Sequence, residues 1–135
     1  MTERHMTISE MCELFDVTPR TLRYYEAKEL LFPLRVGQKR LFTRRDRARL
    51  TLILRAKRYG FALEDIRQWL DLYDPADQGQ RQLRAGRDMA RERLAELVKE
   101  HEALTETIAE LKAELELADK KLAATDQILR VGCRL

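Results

Sequence analysis

The 135-residue sequence predicts an all-α chain with one small β-hairpin: a head of four short helices, then a single long coiled-coil helix. Three observations carry that expectation. Capping chemistry marks three helix starts in the first half, a glycine sits between short extended flanks at Gly37, and the second half keeps an unbroken heptad spacing of mostly apolar residues. Composition agrees, because 36% charged residues with 7% aromatics suit surface-rich helices better than one fully packed globule.

In chain order, Thr7 with Glu10 makes a capping box, and Ile8, Met11, Cys12 and Phe15 then share one helical face, with a stop expected near Asp16. Thr18 ahead of Pro19 sets a hydroxyl N-cap before a proline at the first helical position, and a second helix runs from there to about Lys28. The short link between the two makes a helix-turn-helix unit. Leu22 and Tyr25 face inward in this second helix, while Arg20, Arg23 and Tyr24 share the outer face. The segment from Arg35 to Phe42 reads as a hairpin wing turning near Gly37, with cationic exposed side chains. Thr43 with Asp46 caps a third helix, in which Arg44, Arg47, Thr51, Arg55 and Arg58 lie opposite Leu50, Ile53 and Leu54, and Gly60 stops it. A fourth helix carries Leu63, Ile66, Leu70 and Tyr73 with Trp69 alongside as packing. It is expected to end at Asp74-Pro75 and lacks a good N-cap, since Ala62 holds that position.

Charge is unevenly distributed. Up to Pro75 there are fifteen Lys and Arg against eleven Asp and Glu, and from Arg35 to Arg58 ten basic residues face the single acid Asp46. That window reads as an electrostatic footprint for a polyanion. Base reading would fall to the outer face of the second helix, and phosphate contacts to cations on neighbouring elements.

Past the polar stretch Asp77-Gln78-Gly79-Gln80, spacings of three and four alternate from Leu83 to Leu129 through Leu94, Leu97, His101, Leu104, Ile108, Leu111, Leu115 and Leu122. At 1.5 Å per residue a helix of about 50 residues is roughly 70 Å long, too long to bury its seam on the head, so the same helix of a second copy is the expected partner. His101 sits at a heptad core position, where a polar residue sets register; a proton switch is the alternative role.

At this point the chain resembles the MerR family of bacterial transcription regulators. The blocks TISEMCELFDVTPRTLRYYEAKELL, GQKRLFTRRD and LILRAKRYGFALEDIRQWL occur in order from Met6 to about Pro75, and the long helix follows where that family places its dimerisation coiled coil. The resemblance implies a winged helix-turn-helix head with an antiparallel dimer helix, acting on double-stranded DNA within a promoter spacer, with RNA polymerase as a further partner. It points to Thr18, Arg20, Thr21, Arg23 and Tyr24 on the reading helix, to Lys39 and Arg40 on the first wing, and to Lys57, Arg58, Gly60 and Phe61 on the second. Lys39 stands where an aromatic is common, and Arg44 and Arg45 where acids are common. Within the family, the run from Gly60 to Pro75 is similar to that of short members regulating branched-chain amino acid or fatty acid degradation.

Other chemistry is poorly represented. Ser9 is the single serine, His5 and His101 are far apart, and there is no Gly-rich phosphate loop, so no catalytic set is suggested. Cys12 reads as a small core residue and Cys133 as an idle thiol, with no metal or other cofactor expected. No signal peptide or membrane-length apolar run is seen, so a cytoplasmic protein without membrane association is expected. The organisation read from the sequence is a DNA-binding head over 1–75, a linker over 76–80, a dimerisation coiled coil over 81–130 and a tail over 131–135. The function read from it is a homodimeric, sequence-specific regulator on a palindromic operator that bends and untwists DNA. A nonspecific architectural DNA binder, or a coiled-coil adaptor for RNA or an acidic protein, is the rival reading.

Overall fold

The structure, a computed structural model, describes residues 4–132 and divides into two units, the first ending at Asp88 and the second beginning at Met89. In the first unit, α1 (Ile8–Phe15) starts from Thr7, whose hydroxyl accepts the Glu10 N–H while the Glu10 carboxylate accepts the Thr7 N–H. It stops at Asp16, which turns left-handed (φ 54°) as the Val17 N–H donates back to the Cys12 carbonyl. Thr18 then caps α2 (Pro19–Ala27) through the Thr21 N–H. This helix closes without a glycine. Glu29 takes the left-handed conformation (φ 60°), and the Leu30 N–H reaches the Tyr25 carbonyl at 2.9 Å, satisfying the last turn as in a Schellman motif.

The hairpin expected around Gly37 is present as β2 (Leu34–Val36) and β3 (Lys39–Phe42), in the register Val36 to Lys39 and Leu34 to Leu41. Its two-residue turn depends on Gly37, whose φ of 63° few side-chain-bearing residues adopt. A strand the periodicity did not suggest, β1 (Met6–Thr7), pairs antiparallel with β3 and completes a sheet of order β1-β3-β2. Two residues are too few to show a period. Thr7 ends that strand and caps α1 in the same position, which ties the first helix to the wing.

Helix α3 (Arg44–Arg58) begins at the Thr43–Asp46 capping box and ends in a second Schellman closure, with Gly60 at φ 93° and the Phe61 N–H on the Ala56 carbonyl. Helix α4 (Leu63–Leu70) has no side-chain cap at Ala62, as expected, but it stops at Leu70 and not at Asp74. The Leu72 and Tyr73 N–H groups bond three residues back, to Trp69 and Leu70, so the last turn tightens. Pro75 holds Asp74 extended (ψ 119°), and Tyr73 is consequently exposed and outside the core. A 3₁₀ turn (Pro75–Asp77) and left-handed Gln78 lead into α5 (Gln80–Gly132).

The core gathers Met11, Leu22, Tyr25, Leu30, Leu31, Phe42, Leu50, Ile53, Ile66 and Leu70, so every element of the head from α1 to α4 except the edge strands β1 and β2 contributes a fully packed side chain. Cys12 and Trp69 pack against it half-buried. Trp69 also does polar work: its Nε1 donates to the Gln82 carbonyl at 2.9 Å, and Gln82 Nε2 donates to the Trp69 carbonyl at 3.3 Å. Gly86 makes that approach possible, because a Cβ there would lie 2.8 Å from Trp69 Nε1.

Two charged side chains are buried on α3. Asp46 accepts from the N–H groups of Phe32 (2.9 Å) and Thr43 (3.0 Å) and from the Thr43 hydroxyl. Arg49 donates Nε to the Leu30 carbonyl at 2.8 Å and lies over the Phe32 ring, 5.2 Å from its centroid. Arg49 therefore does not belong to the outward cations counted from the sequence.

The second unit consists of α5 from Met89 onward, with no buried residue. Cys133, read above as an idle thiol, lies outside the described residues, as does the rest of the tail beyond Gly132. Among the described residues no helix is long and apolar enough to cross a membrane.

Asp46 is the capping residue whose loss should cost most. Asp46→Ala removes a cap and strands two backbone donors in or near the core, and should destabilise the protein by about 2–4 kcal/mol in urea unfolding. A loss below about 1 kcal/mol would mean that water replaces those bonds freely.

Candidate nucleic-acid interface

Burial of Leu22 and Tyr25 on the inner side of α2 sets what its outer side presents. Arg20, Arg23 and Tyr24 are exposed there, as the spacing predicts, with Tyr24 half-exposed at 49%. Arg20, Thr21 and Tyr24 line a shallow depression of about 370 Å³ together with Lys57 of α3 and Leu63 of α4, so the end of α3 and the start of α4 adjoin the outer face of α2. Lys28 Nζ lies 5.6 Å from the centre of the Tyr24 ring. Thr18 is spent on capping, and its hydroxyl is 2.9 Å from that of Thr21, leaving the two as one linked polar spot at the start of the helix.

The wings differ from the simple picture of free cations. On the first wing Lys39 is exposed, but Arg40 Nε donates to Glu26 at 2.6 Å and Arg35 Nη2 donates to the same carboxylate at 3.0 Å. Glu26 thus pins the hairpin to α2, a role that no local spacing announces because the partners are nine and fourteen residues away. Burial works to raise its carboxyl, but the hydrogen bonds from Arg40 and Arg35 outweigh it and hold the group below its ordinary value. On the second wing Lys57, Arg58 and Gly60 are exposed, whereas Phe61 turns inward onto the core. The turn's outward contribution is therefore backbone, cation and the half-exposed ring of Tyr59.

The arrangement can offer hydrogen-bond donors on one helix for base edges, flanked by cations from two further elements for phosphates. Among the described residues no group of three or more His, Cys, Asp or Glu converges as a metal site.

A helix-turn-helix with a basic β-wing is the class of protein this head defines. Residues 6–73 match the MerR HTH family of regulatory proteins, and residues 47–114 match the family's DNA-binding model. The chain is 33% identical over 102 residues to the HTH-type transcriptional regulator HmrR of Rhizobium leguminosarum, covering 75% of this chain and 77% of that one. It is 40% identical over 67 residues to the regulator ZntR of Escherichia coli, a match spanning 48% of each, so about half of that relative's length. Among solved structures, SkgA of Caulobacter crescentus superposes with a TM-score of 0.52 at 33% identity, covering 85% of this chain and 80% of that one. A MerR family regulator of Bacillus thuringiensis shares the fold, with a TM-score of 0.60 at 22% identity, covering 82% and 98%. The chain belongs to the MerR family of helix-turn-helix transcriptional regulators.

The Glu26 pairing has a pH signature. With the folded carboxyl held low, its stabilisation is full above the ordinary value and is lost as pH falls through the folded one. Glu26→Gln should lower stability by about 1–2 kcal/mol at pH 7 and by less near pH 3, so that the two acid-unfolding curves converge. Parallel curves would show that the pair adds nothing.

Proposed function

We propose that the chain works as a homodimer in the cytoplasm, placing two heads on one palindromic operator within a promoter spacer and bending and untwisting the DNA for RNA polymerase. The head is the segment 1–75, joined through 76–80 to a dimerisation coil over 81–130. The observation that carries the reading is the outer face of α2, where Arg20, Arg23 and Tyr24 stand exposed beside Lys57. Dimerisation is supported by the seam: Leu94, Leu97, His101, Leu104, Ile108, Leu111, Leu115 and Leu122 are all exposed on α5. Leu104 and Leu111 are 59% and 57% exposed, and burying each fully is worth about 1.5–3 kcal/mol, which a partner helix would recover. Untwisting DNA stores energy that cations on several elements per head would offset. The degradation-regulator subgroup finds no support in the relatives named above.

Selection and sequencing of DNA fragments bound by the pure protein should return one motif with dyad symmetry. Binding that hardly separates selected from random DNA would instead indicate an architectural binder, and stronger competition by RNA an adaptor.

Base reading and phosphate grip should separate by mutation. Arg20→Ala should reduce discrimination at particular base pairs by about 1–3 kcal/mol, whereas Arg58→Ala should weaken all sequences alike and shallow the salt slope by about one unit. Equal losses on operator and random DNA in Arg20→Ala would remove the reading role from that residue.

Charged replacements at Leu104 and Leu111 together should give monomers in sedimentation that no longer hold the operator, since one head loses its second half-site. A monomeric wild-type chain at micromolar concentration would contradict the dimer.

A further inference from the structure

We propose that the head carries a binding cleft for a small organic carboxylate with an apolar body, seated between α3 and the junction of α4 with α5 and anchored by Arg49 and Arg45. The cleft has a volume of about 560 Å³ and lies wholly within the first unit. That size is within the usual range of small-molecule sites. Leu52, Leu70 and the exposed ring of Tyr73 form its apolar walls, and Ala48 sits between the two arginines on the α3 side.

The pointer to an anion is Arg49. The residue is only 7% exposed, it lines the cleft, and its Nη2 is buried without a hydrogen-bond partner. Native proteins pair nearly all such donors. The Nε is committed to the Leu30 carbonyl, and the neighbouring carboxylates are committed elsewhere: Asp46 to Phe32 and Thr43, and Asp71 to Arg67 Nη1 at 3.2 Å. Burial first, and the like charge of Arg45 second, disfavour the cationic form of Arg49 and outweigh the favourable charges of Asp71 and Asp46, neither of which bonds it. An anion in the cleft would offset both.

The walls decide which anion. A guanidinium presents parallel donors that match a planar carboxylate, and Leu52 and Leu70 leave apolar surface for an organic body, whereas a strongly hydrated inorganic dianion would be desolvated against them without return. The cleft joins α3 to the root of α5, so its occupant would bridge the helix that carries Lys57 and the helix that carries the heptad seam.

The test uses the full chain without DNA, so its outcome is independent of the operator reading. The probe is 3-phenylpropanoate, with uncharged 3-phenylpropanamide as its control. Binding is followed by calorimetry and by the fluorescence of Trp69, the single tryptophan, which bonds the cleft-lining residue Gln82. One saturable site per chain is expected for the acid, with the amide at least about tenfold weaker, a loss equal to one unpaired charge-assisted contact. Arg45→Gln and Ala48→Leu change exposed positions of α3 and leave the core intact. Each should weaken the acid about tenfold or more, the first by removing an anchor and the second by filling the cleft. Arg44→Gln removes the same charge outside the cleft lining and should leave affinity within about twofold. Absence of saturable binding up to about 1 mM, equal affinity for the amide, an unchanged affinity in either cleft variant, or an equal loss in Arg44→Gln would each overturn the proposal.

Discussion

The head depends on a buried polar clamp. Between α2 and the hairpin the chain must cross the end of α3, and the residues that cross carry backbone groups that no helix or strand satisfies. Two α3 side chains one turn apart take them: Asp46 accepts the Phe32 N–H and Arg49 donates to the Leu30 carbonyl. With that segment fixed, Leu30 and Leu31 are driven fully into the core, the start of β2 is set, and α2 can turn only its polar side outward. A carboxylate and a guanidinium buried without each other would be costly: Asp46 is offset by two backbone N–H groups and the Thr43 hydroxyl, whereas Arg49 has the Leu30 carbonyl on Nε and leaves Nη2 unsatisfied. The cations that face outward owe their placement to two charges that face inward.

The same economy appears on the first wing. Glu26 draws Arg35 and Arg40 together and fixes the hairpin to α2, at the expense of two positive charges that would otherwise be free for a polyanion. Positioning and affinity compete for the same arginines. The wing keeps Lys39 exposed at the turn, where it is not needed to hold anything. In α5 the balance is different: the apolar seam lies exposed along a helix bearing mixed charges such as the Arg93–Glu96 pair, a surface suited to a second helix and not to a globular core.

What could be read in the sequence was local. The capping boxes at Thr7 and Thr43, the Thr18-Pro19 start and the Gly37 turn all link residues at most three apart, and each stands where it was expected. The outer face of α2 followed from the burial of Leu22 and Tyr25. Long-range pairings are hidden from local spacing: Asp46 is legible as a cap but not as the acceptor for Phe32, and nothing near Arg49 or Arg40 in the chain announces the Leu30 carbonyl or Glu26 as its partner. Two short-range details were missed as well, the two-residue strand β1 and the early stop of α4, where a tightened turn and the restriction imposed by Pro75 outweighed the apolar spacing that ran on to Tyr73.

The central claim is that two clamped heads present α2 to DNA in a fixed geometry, and hydroxyl-radical footprinting on a selected site tests it most directly. The account predicts two protected clusters related by a dyad, with centres separated by about one helical turn or a multiple of it and altered cleavage between them where the duplex is deformed. A single continuous protection without symmetry, or none at concentrations that saturate binding, would contradict it.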